Sequence, residues 1–130
     1  MQIEAYFQQI QSQIEACSVI QLSNIAYEKR GSHEGLVRGE ITFVDGSLLH
    51  LREYVDVETT VDRLMYVYHY MDAQQDLIFR YDDTGHHRDL NLSTYPHHKH
   101  EGSEDKITIS SAPALEEVLR EIKLLVSLPG

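Results

Sequence analysis

The dipeptide Asp45-Gly46 separates two strand-like runs of the chain. Asp-Gly between two such runs is the strongest short-range signal for a β-hairpin, because both positions of a tight turn need positive φ angles. Counting outward from a two-residue loop predicts that Arg38 lies opposite Glu53, either as a cross-strand ion pair or as a site for a positioned carboxylate. The chain is therefore expected to build an antiparallel sheet.

A second strand pair is predicted on either side of the polar turn 72–75. Side chains of a strand alternate between the two faces of the sheet. Counting from the turn predicts that Tyr66 and Tyr68 share a face with Arg80 and Asp82. That face would be both aromatic and polar.

Amphipathic helices are predicted at both ends of the chain. Apolar residues recur at helical spacing over 2–16, and a second apolar stripe begins near Ala112, with Pro113 in the first turn. Shorter strand-like segments occur at 20–27 and 106–109. The order of elements predicts an α+β fold, an antiparallel sheet of four to five strands with the N-terminal and C-terminal helices packed on one face.

Length and composition predict one domain, residues 1–130, that needs no metal or disulfide to fold. The lone Cys17 cannot form an internal disulfide, which is typical of a reducing compartment. No run approaches the roughly 20 apolar residues of a membrane span. We therefore expect a cytoplasmic protein without a membrane partner.

The formal net charge of −10 argues against broad, non-specific binding to nucleic acid, which depends on Lys and Arg. Between positions 80 and 100, however, three basic residues balance three acidic ones, so the net negative charge lies elsewhere in the chain. Protonated histidines would make this interval positive. It could bind an anion while the acidic remainder meets a basic partner.

Histidines are concentrated in one interval of the chain. Five of the eight fall between positions 86 and 100, within a segment, 83–106, that is predicted to be a long loop. Long loops on a rigid sheet often carry binding and catalytic residues. The histidines in question are His86, His87, His97, His98 and His100.

Three interpretations of this loop compete. In the first, all five histidines form a site for a divalent transition metal such as zinc or nickel, with Asp82 or Asp83 as an oxygen ligand. In the second, no cofactor is needed: histidines act as general acid and base in RNA cleavage, and Arg80 and Lys99 hold the phosphate. In the third, the imidazoles only fold the loop. His69, in the middle of a strand, is expected to be a hydrogen-bonded, mostly buried residue.

Several short motifs resemble the TumE family, which is assigned as the toxins of type II toxin–antitoxin modules. They are Tyr66-Val67-Tyr68-His69, Leu77-Ile78-Phe79-Arg80-Tyr81-Asp82, His86-His87 and Tyr95-Pro96-His97-His98-Lys99-His100, with Asp45-Gly46-Ser47 and Glu53-Tyr54 upstream. The resemblance covers roughly residues 36 to 122. It implies a cognate antitoxin partner and a bacterial or archaeal host, and it supplies a biological role rather than a reaction.

The leading hypothesis is a toxin that acts as a metal-independent endoribonuclease. Its predicted catalytic residues are His98, His100 and His97 for proton transfer, with Glu53 and Asp82 as orienting carboxylates. Its predicted substrate-binding residues are Arg80, Lys99, Tyr68, Tyr95 and His87, the tyrosines by stacking on bases. Two alternatives stay open: a non-catalytic binding or regulatory module, and a metal-dependent phosphodiesterase that uses the five histidines. A homodimer also stays open.

Overall fold

The computed structural model describes residues 1–83, 98–102, 107–109 and 112–126, with the backbone alone at 98 and 107–109. These residues form two helices and seven strands. In chain order they are α1 (Ile3–Glu15), β1 (Ile20–Lys29), β2 (Glu34–Phe43), β3 (Leu48–Asp56), β4 (Asp62–Met71), β5 (Leu77–Asp82), β6 (His98–Glu101), β7 (Ile107–Ile109) and α2 (Leu115–Leu125).

The strands form one antiparallel sheet in which each pairs with its neighbours in sequence, in the order β1 to β7. The predicted α+β fold with terminal helices is confirmed, but the sheet has more strands than the predicted four to five. One added strand is β6, which lies inside the interval 83–106 predicted to be a loop. Its sequence, His-Lys-His-Glu, has no apolar residue, so hydrophobic alternation could not reveal it.

The β2–β3 hairpin has a three-residue loop instead of the predicted two-residue loop. The N–H of Phe43 donates to the carbonyl of Ser47 at 2.9 Å, and Gly46 has a φ of +86°. A glycine in the left-handed region at the end of a three-residue loop is typical of a type I turn followed by a G1 bulge. The loop is therefore one residue longer than the Asp-Gly motif alone suggests.

This extra loop residue changes which side chains face each other. Arg38 lies opposite Arg52, and Glu53 lies opposite Val37. The predicted pairing of Arg38 with Glu53 is therefore wrong. A one-residue slip moves a side chain to the other face of a sheet, and here it places the Glu53 carboxylate on the face that packs against the helices.

A β-bulge shifts the register between β4 and β5 in the same way. Ile78 is an extra residue on β5, and beyond it Arg80 pairs with His69. Arg80 and Asp82 therefore share a face with His69 and not with Tyr68. The predicted face that combined the tyrosines with Arg80 and Asp82 is wrong.

Both helices pack on one face of the sheet, as predicted. Tyr6 of α1 donates a hydrogen bond to Glu53 of β3, and Tyr81 of β5 donates one to Glu121 of α2. The apolar side chains of this face and of the helices form one core cluster. Neither helix that the structure describes combines the length and apolar character needed to cross a membrane.

The opposite face carries most of the residues of the candidate site. We call it the outer face and define it by Arg38, Arg52, His69, Arg80 and His100, which the strand registers place on the same side. No helix in the described part of the chain packs on it.

Candidate functional site

Two adjacent rows of residues cross the outer face at right angles to the strands. In the first row, His69 of β4, Arg80 of β5 and His100 of β6 are consecutive partners. In the second row, Asp82 of β5 pairs with His98 of β6. Because neighbouring strands are only about 4.8 Å apart, these positions form one compact group.

A buried ionic cluster lies at the centre of this group. Arg80 donates from Nε to Oδ2 of Asp82 at 2.8 Å, and Nε2 of His100 lies 3.8 Å from the same oxygen. The Asp82 side chain is fully buried, and that of His100 is 3% exposed. A buried carboxylate needs such partners, because the desolvation of an unpaired charge is costly. The carboxylate in turn can hold an imidazole in a fixed orientation.

His69 adds a second imidazole to this row, beside Arg80. It is half-buried, and its ring lies 6.4 Å from that of His50 on the neighbouring strand. The sequence predicted that His69, in the middle of a strand, is a hydrogen-bonded and mostly buried residue. Its proximity to Arg80 follows from the β4–β5 bulge, and no signal in the sequence reveals that bulge.

Glu53 occupies a different environment, on the helix-packed face. It is buried, and it accepts hydrogen bonds from the hydroxyls of Tyr6 and Tyr68. Burial, reinforced by the charge of Glu53, raises the pKa of both tyrosines well above the usual value. These hydroxyls therefore stay protonated donors to the carboxylate, and the three residues tie α1 to the sheet.

Arg63 extends this network toward the second helix. Its guanidinium donates to the Tyr68 hydroxyl at 3.3 Å and to the carbonyls of Ala112 and Pro113 at 2.7 Å each. Burial opposes the charged guanidinium, but Tyr68 and Glu53 outweigh it and raise the pKa of Arg63. The arginine thus links β4 to the segment that leads into α2.

Lys99 also lies on the helix-packed face, where it joins α2 to the sheet. Its Nζ is 3.3 Å from Oε2 of Glu121, and the Tyr81 hydroxyl donates to the other oxygen of that carboxylate at 2.7 Å. The ammonium lies 4.9 Å from the centre of the Tyr81 ring. Burial would lower the pKa of Lys99, but Tyr81 and Glu121 outweigh it and raise the pKa, so the ammonium stays charged.

The structure therefore divides the predicted site residues into three groups. Arg80, Asp82 and His100 come together on the outer face, and the register places His98 beside Asp82. Glu53, Tyr68 and Lys99 lie on the other face and do not reach this cluster. The remaining predicted residues, His86, His87, Tyr95 and His97, lie outside the described residues.

The described residues contain no group of three or more His, Cys, Asp and Glu side chains placed to hold a metal ion. Asp83, one of the predicted oxygen ligands, accepts a hydrogen bond from the Tyr66 N–H at 3.1 Å. Three of the five histidines proposed as ligands lie outside the described residues, and of His98 only the backbone is described. The metal interpretation remains a prediction.

Residues 10–126 match the family model described as toxin TumE. The match runs from within α1 to the end of α2 and so includes every element that forms the outer-face cluster. No curated protein and no solved structure matches the chain.

Proposed function

Since this chain belongs to the TumE family of toxins, as the resemblance of its motifs predicted, we propose that it is the toxin of a toxin–antitoxin module and that it cleaves RNA on the outer face of its sheet. The family supplies the biological role and implies a cognate antitoxin partner. The reaction is argued from the cluster of Arg80, Asp82 and His100.

One observation carries the proposed reaction. A fully buried carboxylate, Asp82, is 2.8 Å from the Nε of Arg80 and 3.8 Å from the Nε2 of His100, with a further histidine position beside each end of the cluster. Metal-independent RNA cleavage needs a base, an acid and a cation near one phosphate. Imidazoles titrate near neutral pH and suit both proton transfers.

The chemical step requires nothing beyond the RNA and these side chains. A base removes the proton of the ribose 2′-hydroxyl, and the 2′-oxygen attacks phosphorus. The bond from phosphorus to the 5′-oxygen breaks, and an acid donates a proton to that oxygen. The products are a 2′,3′-cyclic phosphate and a 5′-hydroxyl end.

We assign roles according to burial and position. Asp82 is a positioning residue, because its carboxylate contacts both His100 and Arg80 and can orient them. Arg80 is partly exposed, with 29% of its side chain accessible, and is the proposed cation near the phosphate. His98 and His100 are the proposed proton-transfer pair, and His69, the cross-strand partner of Arg80, is a further imidazole.

Two of the predicted roles are not part of this proposal. Glu53 and Lys99 are engaged with residues of α1 and α2, on the opposite side of the sheet from Arg80. Their contacts explain why the fold needs them. We therefore propose structural roles for both, and we expect the RNA to meet the protein on the outer face in the cytoplasm.

The test is to incubate the purified protein with a labelled single-stranded RNA in excess chelator and to map the new ends. We expect cyclic phosphate and 5′-hydroxyl ends, and no cleavage of DNA of the same sequence, which lacks the attacking hydroxyl. His98→Gln and His100→Gln should each lower the rate by about 10²- to 10⁴-fold, as for the loss of a general acid or base. His33→Gln is the matched control, because this partly exposed histidine bonds to the Met1 carbonyl, away from the outer face.

Other outcomes would assign the alternatives. Cleavage that chelator abolishes and zinc or nickel restores would indicate a metal-dependent phosphodiesterase. Intact RNA under both conditions, from a protein that still inhibits growth, would indicate a non-catalytic binding module. Equal rates for the wild type and the two histidine variants would overturn the proposed roles even if RNA is cleaved.

A further inference from the structure

Two arginines of the outer face are placed directly against each other. Arg38 of β2 and Arg52 of β3 are cross-strand partners, and both are exposed. Like charges in directly opposite positions destabilise a pair of strands. This pairing therefore lowers the stability of the fold. The chain has 21 acidic residues, any of which would make a more favourable cross-strand partner for an arginine.

Neither arginine has an acidic partner within the part of the chain that the structure describes. No ion pair or hydrogen bond joins Arg38 or Arg52 to a described residue, whereas other basic residues, such as Lys29 and Arg120, pair with a carboxylate. In a protein of net charge −10, two adjacent guanidinium groups without a carboxylate partner are suited to an external anion.

The two arginines also line a cavity of about 480 Å³ on this side of the sheet. The amide of Asn24 and the ring of His50 add polar groups to its wall, and Val67 adds an apolar surface. The carboxylate of Glu40 also lines the cavity, but it lies 3.4 Å from Nδ1 of His50. The cavity thus offers two forked cations for a phosphate, together with contacts for the attached sugar or base.

The register connects this cavity to the proposed site of cleavage. Arg38, Arg52, Val67 and Asp82 are successive partners in one row across β2 to β5. With strands about 4.8 Å apart, the Cα atoms of Arg52 and Asp82 are separated by about 10 Å. A single RNA strand that crosses the outer face could therefore reach both places.

We propose that Arg38 and Arg52 form a second phosphate subsite, which binds the backbone of the RNA a few nucleotides from the bond cleaved at the Arg80, Asp82 and His100 cluster. This inference rests on the proposed function for the identity of the substrate. It predicts that the two arginines determine affinity for RNA but take no part in the chemical step, because they do not contact the reacting atoms.

The test compares Arg38→Gln/Arg52→Gln with Lys29→Gln/Arg120→Gln, which removes the same charge from the side of the helices. Binding is measured with a fluorescent 12-nucleotide RNA that carries 2′-O-methyl groups and so cannot react by the proposed mechanism. The Arg38/Arg52 variant should bind at least about tenfold more weakly at low salt. Its plot of log affinity against log salt should be shallower by up to about 1.4, or about 0.7 for each lost phosphate contact.

Cleavage of unmodified RNA supplies an independent readout. The Arg38/Arg52 variant should have a raised KM and an unchanged kcat, and its KM for a dinucleotide, which is too short to reach the cavity, should equal that of the wild type. Folding is checked with Arg38→Glu, which replaces the repulsion with an ion pair to Arg52. It should unfold at the same or a higher urea concentration while binding RNA more weakly still.

The two proposals fail in different ways. If the wild type binds the methylated RNA through these arginines but never cleaves RNA, the subsite stands and the proposed reaction is wrong. If the wild type cleaves RNA but the two double variants do not differ from each other in RNA affinity or in its salt dependence, the proposed subsite is wrong. That second result would also be found if the arginines serve an acidic protein partner, or if charge anywhere on the surface has the same effect.

Discussion

Arg80 and Asp82, two residues apart on β5, are joined by a hydrogen bond of 2.8 Å from Nε to Oδ2, although one side chain is partly exposed and the other fully buried. When one partner of an ion pair is deeply buried, removing only the other partner costs more stability than removing the charge of both. Removal of the cation deprives an interior carboxylate of its arginine partner, whereas removal of the charge on both partners leaves no carboxylate to stabilise.

Arg80→Ala should therefore destabilise the protein by about 3 kcal/mol. The cost is large because the Asp82 side chain is fully buried. Arg80→Ala/Asp82→Asn should recover much of the loss, because no buried carboxylate then remains. Urea unfolding of the three proteins measures both effects, and an Arg80→Ala variant as stable as the wild type would contradict the account.

The stability of the protein should fall steeply above pH 10. Burial and the Glu53 charge raise the pKa of Tyr6 and Tyr68 in the folded state, so only the unfolded chain loses these protons near pH 10. The stabilisation is complete below that pH and is lost as pH rises, by up to about 1.4 kcal/mol per pH unit for each tyrosine. Urea unfolding between pH 9 and 11 should show a shallower loss for Tyr6→Phe, and equal slopes would contradict this prediction.

Gly46→Ala should destabilise the β2–β3 hairpin by about 1 to 2 kcal/mol. Gly46 has a φ of +86°, which is unfavourable for residues with a Cβ, and an added Cβ would lie 3.2 Å from that of Ala73. Gly31→Ala is the matched control, because an added Cβ there meets nothing within 4 Å. Thermal unfolding of both variants tests the turn assignment, which fails if both have the same melting temperature.

Lys99→Met should weaken the docking of α2 and leave RNA binding almost unchanged. The ammonium pairs with Glu121 at 3.3 Å and contacts the ring of Tyr81, so its loss should cost about 1 to 2 kcal/mol of stability. Since Lys99 lies on the helix-packed face, the salt dependence of RNA affinity should match that of the wild type. A slope reduced by about 0.7 would instead support the phosphate contact predicted from the sequence.

The sequence was sufficient to predict most elements of the fold but not their register. Helical spacing of apolar residues located α1, and Asp45-Gly46 located the β2–β3 hairpin. The register depends on two single residues: the third residue of the β2–β3 loop and the extra residue Ile78 on β5. The hydropathy pattern encodes neither of them. These two residues determine that Glu53 lies inside the protein and that Arg80 lies beside His69.

The sequence predicted site residues from their chemistry but not from their positions in the sheet, because the register was not encoded. Arg80, Asp82 and His100 were selected for their chemistry, and the structure brings them together. His69 was not included, because a histidine in the middle of a strand was expected to be a hydrogen-bonded, mostly buried residue. The strand that carries His100 was missed because all of its side chains are polar, so hydropathy does not alternate along it. Lys99 lies over an aromatic ring on one face of the sheet, and His100 lies on the other face.

The sequential pairing of the strands has a consequence for the order in which the molecule forms. Because each strand pairs with the one before it, the sheet can extend during synthesis with little loop entropy to overcome at each step. The cluster around Asp82 needs β6, which pairs with β5 and follows it in the chain. A nascent chain can therefore pair β1 to β5 before β6 brings His100 to Asp82 and Arg80.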